Sequence, residues 1–91
     1  MSRARRIHID GRVQGVGFRW STMSEARRLG LDGWVRNTPS GGVEVFVQGD
    51  PSVVESMLAW LGEGPSGASV HDVEVEDAAP DDSLHGFEIR A

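Results

Sequence analysis

The chain alternates between two hydrophobic periodicities, and the order of this alternation limits its fold more than any other feature. Apolar and polar side chains alternate with the period of a β-strand in residues 7–13 and 31–48, and the turn-forming letters NTPSGG divide the second stretch into a hairpin. Apolar residues recur at helical spacing in residues 19–30 and 51–62. A fourth strand is predicted near residues 69–76. The predicted order is therefore β-α-β-β-α-β.

This order of elements predicts one fold class. Since β-α-β connections are right-handed, the chain is expected to form an α+β fold, the ferredoxin-like split β-α-β sandwich. This βαββαβ arrangement has a four-stranded antiparallel sheet with two helices on one face, and its other face is expected to be open. Residues 87–89 predict a short extra C-terminal strand. With 91 residues, the chain is expected to be a single domain, residues 1–91, that folds unaided.

Particular residues predict where the elements bend, begin or end. Gly11 interrupts the apolar face of the first strand and predicts a bulge there. Gly30 is predicted to end the first helix, and Gly62 the second. Asp50 is predicted to be the N-cap of the second helix, with Pro51 at its first helical position.

The composition excludes several kinds of site. The chain has no cysteine, so it has neither a disulfide framework nor a thiolate metal site. His8, His71 and His85 lack the spacing of metal ligands, and no metal or cofactor is expected. No apolar run reaches the length of a signal-peptide core or the roughly 20 residues of a membrane span. We therefore expect a soluble, cytoplasmic protein without a membrane partner.

Charge is distributed unevenly along the chain. The formal net charge of −5 argues against a nucleic-acid partner. Residues 1–36 nevertheless carry a charge of +5, and residues 37–91 carry −10. A basic N-terminal half can attract an anionic ligand while the whole chain stays acidic. The alternative is a solvated surface with accidental polarity.

The stretch GRVQGVGFRW, residues 11–20, leads from the first strand into the first helix. Gly15 and Gly17 can take positive φ angles that turn backbone N–H groups inward, and a helix N-terminus adds unpaired N–H groups. The stretch matches neither a Walker A loop nor a dinucleotide fingerprint. Arg19 adds a permanent charge and a planar fork that fits phosphate oxygens. These features predict an anion cradle, and the alternative is a glycine-rich turn with a surface arginine.

Asn37 ends the second predicted strand, on the side that faces the helices. Because the first two strands run parallel in this topology, Asn37 is expected near Arg19; the alternative is that it only starts the NTPSGG turn. An arginine with backbone amides holds a phosphoryl group, and a carboxamide can orient a water. Neither group is a strong base. The pair therefore suits a substrate with a good leaving group, such as an acyl phosphate, rather than a phosphate monoester.

Residues 11–19, 33–37 and 42–45 closely resemble the acylphosphatase family, and the match continues through GPSGASVHDVEVED to residues 87–90. The resemblance implies the ferredoxin-like fold and hydrolysis of a small-molecule acyl phosphate to a carboxylate and inorganic phosphate, without metal or cofactor. It implies that Arg19 binds the phosphate, that Asn37 positions the attacking water, and that the substrate phosphate accepts the proton. It also implies a phosphate cradle made by the backbone amides of Gln14, Gly15, Val16, Gly17 and Phe18.

Two positions stand out against the pattern of this family. Many of its members end in an aromatic residue, whereas this sequence ends in Ala91, so any packing by that aromatic is missing. Trp20 follows the arginine at a variable position. We expect it to be an ordinary, partly buried helix aromatic rather than a side chain that shades the mouth of the site.

Two other functions share this fold. An RNA-recognition module would stack bases on the open sheet face, but GGVEVFVQ lacks the RNP1 pattern, and Trp34 and Phe46 are more simply a cross-strand pair. Domains of this kind also occur inside large carbamoyl-transferring proteins, and a free-standing copy can bind phosphate or carbamoyl phosphate without turnover. A chain from Met1 to Ala91 favours a stand-alone enzyme, and we expect a monomer.

Overall fold

The computed structural model describes residues 2–91 and has the predicted order of elements. The elements are β1 (Arg3–Arg12), α1 (Phe18–Arg28), β2 (Asp32–Asn37), β3 (Val43–Gly49), α2 (Pro51–Glu63), β4 (Ser69–Ala78) and β5 (Phe87–Arg90). The strands form one sheet in the order β4-β1-β3-β2-β5, in which β5 runs parallel to β2 and the other neighbours are antiparallel. The ferredoxin-like α+β fold and its short extra C-terminal strand are thereby confirmed.

The main core lies between the two helices and one face of the sheet. Alternate side chains of the strands point to this face, as the period of two requires, and the helices bury residues spaced three or four apart. Helix α1 packs on β2 and β5, and α2 packs on β1, β3 and β4. The buried side chains of this core include Ile7, Ile9, Phe18, Ala26, Val35, Val43, Val45, Val47, Val54, Met57 and Leu61.

Local residue chemistry explains the ends of both helices. Gly30, at φ 73°, follows the C-cap of α1 as predicted. Asp50 caps α2 by accepting a hydrogen bond from the backbone N–H of Ser52 at 3.0 Å. The prediction that Gly62 ends α2 is wrong, because the helix continues to Glu63 and stops at Gly64, where φ is 72°. A Cβ at Gly64 would lie 2.8 Å from a ring carbon of Phe18, so only glycine fits there.

The predicted bulge lies at the end of β1. The register between β1 and β4 shifts between Asp10 and Gly11. A Cβ at Gly11 would overlap the carbonyl oxygen of Ser69, so the close approach of the two strands requires glycine. The bulge bends β1 just before the chain leaves the sheet for the glycine-rich loop.

The second face of the sheet is only partly open, which corrects the expectation from the sequence. The chain between β4 and β5 crosses one end of this face, where Leu84 packs on Ala4 and Phe46. Gln48 fixes this connection by donating to the carbonyl of Asp81 at 2.8 Å and accepting from its N–H at 2.7 Å. The sequence gives no periodic signal for this contact, because the connection has no regular secondary structure.

An ion cluster and an aromatic pair occupy part of the remaining face. Glu44 is buried there and binds Arg36 at 2.6 Å and Arg6 at 3.3 Å. The rings of Trp34 and Phe46 lie 6.0 Å apart with an interplanar angle of 13°, which confirms the predicted cross-strand pair. Cross-strand contacts of this kind fix the register of β2 on β3, and with it the position of the strand end at residue 37.

Candidate active site

The glycine-rich loop, residues 13–17, ends at the N-terminus of α1. Gly15 and Gly17 have φ angles of 75° and 78°, in the left-handed region that favours glycine. The first helical hydrogen bond runs from the N–H of Ser21 to the carbonyl of Gly17 at 3.0 Å, so the preceding amides are free of helical partners. No side chain caps this end of the helix. The loop therefore presents backbone N–H groups and the positive end of a helix dipole.

Arg19 lies in the first turn of α1 with an exposed side chain. Within residues 2–91, carboxylates pair with six of the nine arginines, and Arg19 is not one of the six. A guanidinium without a carboxylate partner keeps its charge and its planar donors available for an anionic ligand. The paired arginines are Arg3, Arg5, Arg6, Arg28, Arg36 and Arg90.

Asn37 is the last residue of β2, and its side chain is only partly exposed. Its carboxamide oxygen is buried and accepts no hydrogen bond from any of residues 2–91. Buried acceptors are nearly always paired, with protein or with an ordered water. An unpaired one at a strand end therefore points to a water or a ligand group as its partner.

One cavity of about 190 Å³ brings these groups together at the N-terminus of α1. Among the predicted site residues, Gly15, Gly17, Phe18, Arg19 and Asn37 line it. Its remaining walls are Val13, Trp20 and Ile89. The lining contains no histidine, lysine or carboxylate, so none of these side chains can serve as a general base near neutral pH.

Gln14 and Val16 are placed differently from the other predicted residues. The Gln14 side chain donates to the carbonyls of Thr38 at 2.9 Å and Gly42 at 2.8 Å, which ties the loop to the β2–β3 hairpin. The side chain of Val16 packs against the main core. Neither lines the cavity. A role for these residues in anion binding would therefore rest on their backbone amides alone.

Two apolar side chains that line the cavity, Trp20 and Ile89, are placed differently from the expectation based on the sequence. Trp20 is 64% exposed and lines the cavity, so the expectation of a partly buried helix aromatic is wrong. Ile89 was not predicted as a site residue, yet it lines the cavity from β5. Its place follows from the parallel pairing of Val35 with Ile89, which aligns β5 beside the strand that ends at Asn37. Ile89 can be assigned to the site only when the pairing of β5 with β2 is known, and the local sequence pattern does not contain that information.

A larger cavity, about 570 Å³, lies at the other end of α1. Arg27, Asp32, His85 and Arg90 contribute to its walls, and none of the predicted site residues does. It contains neither a helix N-terminus nor the glycine-rich loop. Its size alone therefore does not make it the better candidate for phosphate chemistry.

Residues 2–91 contain no group of three or more histidine, aspartate or glutamate side chains that could hold a metal ion. Neither helix in this part of the chain is long and apolar enough to cross a membrane.

Comparison with known proteins gives consistent matches. The family model described as Acylphosphatase matches residues 5–89. The acylphosphatase of Thermococcus kodakarensis is 52% identical over 83 residues, which cover 91% of this chain and 90% of that protein. The crystal structure of acylphosphatase from Bacillus subtilis is 35% identical, covers all of both chains and superposes with a TM-score of 0.93. Full-length HypF in its phosphate- and nucleotide-bound form is 28% identical with a TM-score of 0.89, but this chain covers only 12% of it.

Proposed function

Because the chain belongs to the acylphosphatase family and hydrolyses acyl phosphates to a carboxylate and inorganic phosphate, we propose that the cavity at the N-terminus of α1 is where it does so. One observation carries this proposal. A guanidinium without a carboxylate partner, the free amides of a helix N-terminus and an unpaired carboxamide oxygen belong to the residues that line a single cavity. These are the groups that binding a phosphoryl group and directing a water toward it require.

The first proposed role is to hold the phosphoryl group. Arg19 and the backbone amides of residues 14–18 surround its oxygens, and the dipole of α1 adds to their attraction. The donors are fixed by the backbone of the loop, so little reorganisation is needed as charge redistributes in the transition state. The φ angles of Gly15 and Gly17 support this role because left-handed residues in a loop allow neighbouring amides to face one concave surface.

The second proposed role belongs to Asn37. Its carboxamide oxygen accepts a hydrogen bond from the attacking water and aligns the water's lone pair with phosphorus. The water oxygen forms a bond to phosphorus while the bond from phosphorus to the acyl oxygen breaks, and that electron pair leaves with the carboxylate. A proton of the water passes to a phosphoryl oxygen of the substrate. The lining supplies no stronger base, which supports this route for the proton.

The leaving group removes the need for a general acid. A carboxylate is a weak base, with an ordinary pKa near 4, and departs without being protonated. The oxygen that leaves a phosphate monoester is far more basic. The site is therefore expected to discriminate strongly between an acyl phosphate and a monoester with the same organic group.

Two alternative functions, phosphate or carbamoyl-phosphate binding without turnover and RNA recognition, are not favoured. The named relatives and the family model support turnover over simple binding of phosphate or carbamoyl phosphate. A base-stacking module is disfavoured by the structure of the second sheet face. Leu84 and the chain around it cover one end of this face, and the Glu44 ion cluster fills part of the remainder.

Three further properties belong to the proposal. We propose that residues 1–91 act as one domain, supported by a family match over residues 5–89. We propose a monomer, because the exposed edge strand β4 carries several acidic side chains that oppose pairing with another strand. We propose a cytoplasmic location, which a chain without cysteine suits because its fold needs no oxidising compartment. Light scattering in solution tests the monomeric state, and cell fractionation tests the cytoplasmic location.

The central experiment replaces the proposed phosphate ligand and a matched control on the same helix. Arg19→Gln is expected to lower turnover of benzoyl phosphate by roughly 100- to 1000-fold and to weaken inhibition by inorganic phosphate. Arg28→Gln removes the same charge from the other end of α1, outside the cavity, and is expected to leave both values near those of the unchanged protein. Near-normal turnover by folded Arg19→Gln would contradict the proposed site.

The same assay tests the expectation that no metal takes part. Turnover is expected to be unchanged after dialysis against EDTA, because an arginine and backbone amides supply the positive potential. Loss of activity with EDTA, followed by recovery on adding a divalent cation, would contradict this expectation.

A further inference from the structure

Exposed apolar side chains are concentrated at the cavity. Only three large hydrophobic side chains in residues 2–91 are exposed, and two of them, Trp20 and Ile89, line this one cavity. The third, Val75, lies on the distant strand β4. Trp20 is 64% exposed, although indole is among the most favourable side chains to bury. An apolar wall beside a polar site indicates a ligand with an apolar part.

The positions of the two side chains define where that part would lie. Trp20 directly follows Arg19 in the first turn of α1, and Ile89 lies on β5, next to the strand that ends at Asn37. The apolar walls thus flank the groups proposed to hold the phosphoryl group and the water. A phosphoryl group bound to the glycine-rich loop leaves the rest of the cavity for the other end of the substrate.

An acyl phosphate has the matching division into two parts. One end is the phosphoryl group and the other is the acyl group, joined by a single oxygen. With the phosphoryl group on Arg19 and the loop amides, the acyl group extends toward the mouth of the cavity. Apart from Arg19 and Asn37, which are engaged by phosphate and water, the lining side chains offer an acyl substituent no hydrogen-bond acceptor and only one donor, the indole N–H of Trp20.

We propose that Trp20 and Ile89 form an acyl-binding subsite that selects acyl phosphates with a flat, apolar acyl group, such as an aromatic ring. This inference rests on the proposed function of the cavity and adds the chemical class of its substrate. The indole face stacks on the ring, and Ile89 covers its edge. Small or polar acyl groups, such as acetyl or carbamoyl, gain little from these walls and bind through the phosphoryl group alone.

The test compares two substrates on variants of the wall. Trp20→Ala is expected to lower the ratio of kcat/KM for benzoyl phosphate to kcat/KM for acetyl phosphate by about tenfold. Trp20→Phe keeps a stacking surface and is expected to restore most of that ratio. Ile89→Ala is expected to lower the ratio by a smaller factor. Val75→Ala removes the third exposed hydrophobic side chain, far from the cavity, and serves as the control with an unchanged ratio.

Each result has one meaning. A ratio unchanged in Trp20→Ala, or a Trp20→Phe variant no better than Trp20→Ala, overturns the subsite. An equal loss on both substrates, together with weaker inhibition by inorganic phosphate, also overturns it, because Trp20 would then act on the phosphoryl group. Failure of the proposed function would appear elsewhere, as undiminished turnover of both substrates by Arg19→Gln. Circular dichroism checks that the variants are folded. The Trp20 variants are expected to fold, because the side chain that they replace is largely exposed.

Discussion

At the scale of single residues, the buried oxygen of Asn37 makes a sharp prediction. If this oxygen orients the attacking water, Asn37→Ala should lower kcat by about 100-fold, because an aligned nucleophile is lost from the transition state. The inhibition constant of inorganic phosphate should change much less, since Arg19 and the loop amides remain. Steady-state kinetics with benzoyl phosphate measure both. Equal losses in kcat and phosphate affinity would make Asn37 a phosphate ligand instead.

Two glycines of equal geometry separate backbone strain from function. Gly17 and Gly30 have φ angles of 78° and 73°, and a Cβ at either position meets no atom within 4 Å. Alanine at each should therefore cost a similar stability, about 1 to 2 kcal/mol, from left-handed strain alone. Only Gly17→Ala should also weaken inhibition by phosphate, because it alone turns an amide of the cradle. Urea unfolding and phosphate inhibition measure the two effects, and equal inhibition in both variants would contradict the cradle.

At the scale of elements, Gln14 links the phosphate loop to the β2–β3 hairpin. Gln14→Leu leaves the carbonyls of Thr38 and Gly42 without these donors, which should cost about 1 to 3 kcal/mol and let the loop move relative to Asn37. Turnover should fall with it. Gln48→Leu removes a comparable pair of hydrogen bonds, those to Asp81, on the other face of the sheet. It should lower stability without lowering kcat. Identical kinetics in the two variants would show that the link is only structural.

The cap of α2 predicts a specific dependence of stability on pH. Hydrogen bonds from the hydroxyl and then the N–H of Ser52 lower the pKa of Asp50 below its ordinary 3.8. A carboxyl whose pKa is lower in the folded state stabilises the fold above its unfolded pKa, and this stability is lost as pH falls through the folded pKa. Asp50→Asn keeps a capping oxygen but cannot titrate. Its unfolding free energy should therefore approach that of the unchanged protein as pH falls below 3.8 and through the lowered pKa of folded Asp50, and a constant difference would contradict this.

The elements were largely predictable because each depends on local chemistry. The alternation of apolar and polar side chains predicts the strands. Asp50 predicts the start of α2 and Gly30 the end of α1, because a cap and a left-handed residue act within one helical turn. The end of α2 was mispredicted because Gly62 and Gly64 are both glycines after an apolar stripe. Only the close approach of Phe18 to Gly64, a contact between distant parts of the chain, distinguishes them.

The candidate site was predictable in its polar part and not in its apolar part. Arg19 and Asn37 follow from the loop, the strand end and the parallel relation of β1 and β2. The exposure of Trp20 and the position of Ile89 depend on which strand lies beside β2 and how far it extends. The sequence between β4 and β5 contains no feature that fixes that pairing.

At the scale of the whole molecule, tertiary contacts largely remove the charge asymmetry seen along the chain. Arginines of the basic N-terminal part pair with acids of the C-terminal part, as Arg5 does with Asp77 at 3.2 Å and Arg36 with Glu44 at 2.6 Å. The sequence alone suggested a broadly basic half. The folded chain instead concentrates its available positive charge at few places, and Arg19 at the cavity is one of them.

Leu84 and its neighbours cover one end of the second sheet face, and this cover should affect local unfolding of the sheet. Strand β3 lies inside the sheet, with helices on one side and, at one end, this cover on the other. Peptide hydrogens between Phe46 and Gln48 should therefore exchange with deuterium last, and only through global unfolding. Replacing Leu84 with alanine should speed exchange at this end of β3 ahead of its other end. Mass spectrometry of exchanged peptides resolves the difference. Uniform exchange along β3 would show that the cover does not protect this end of the strand from exchange.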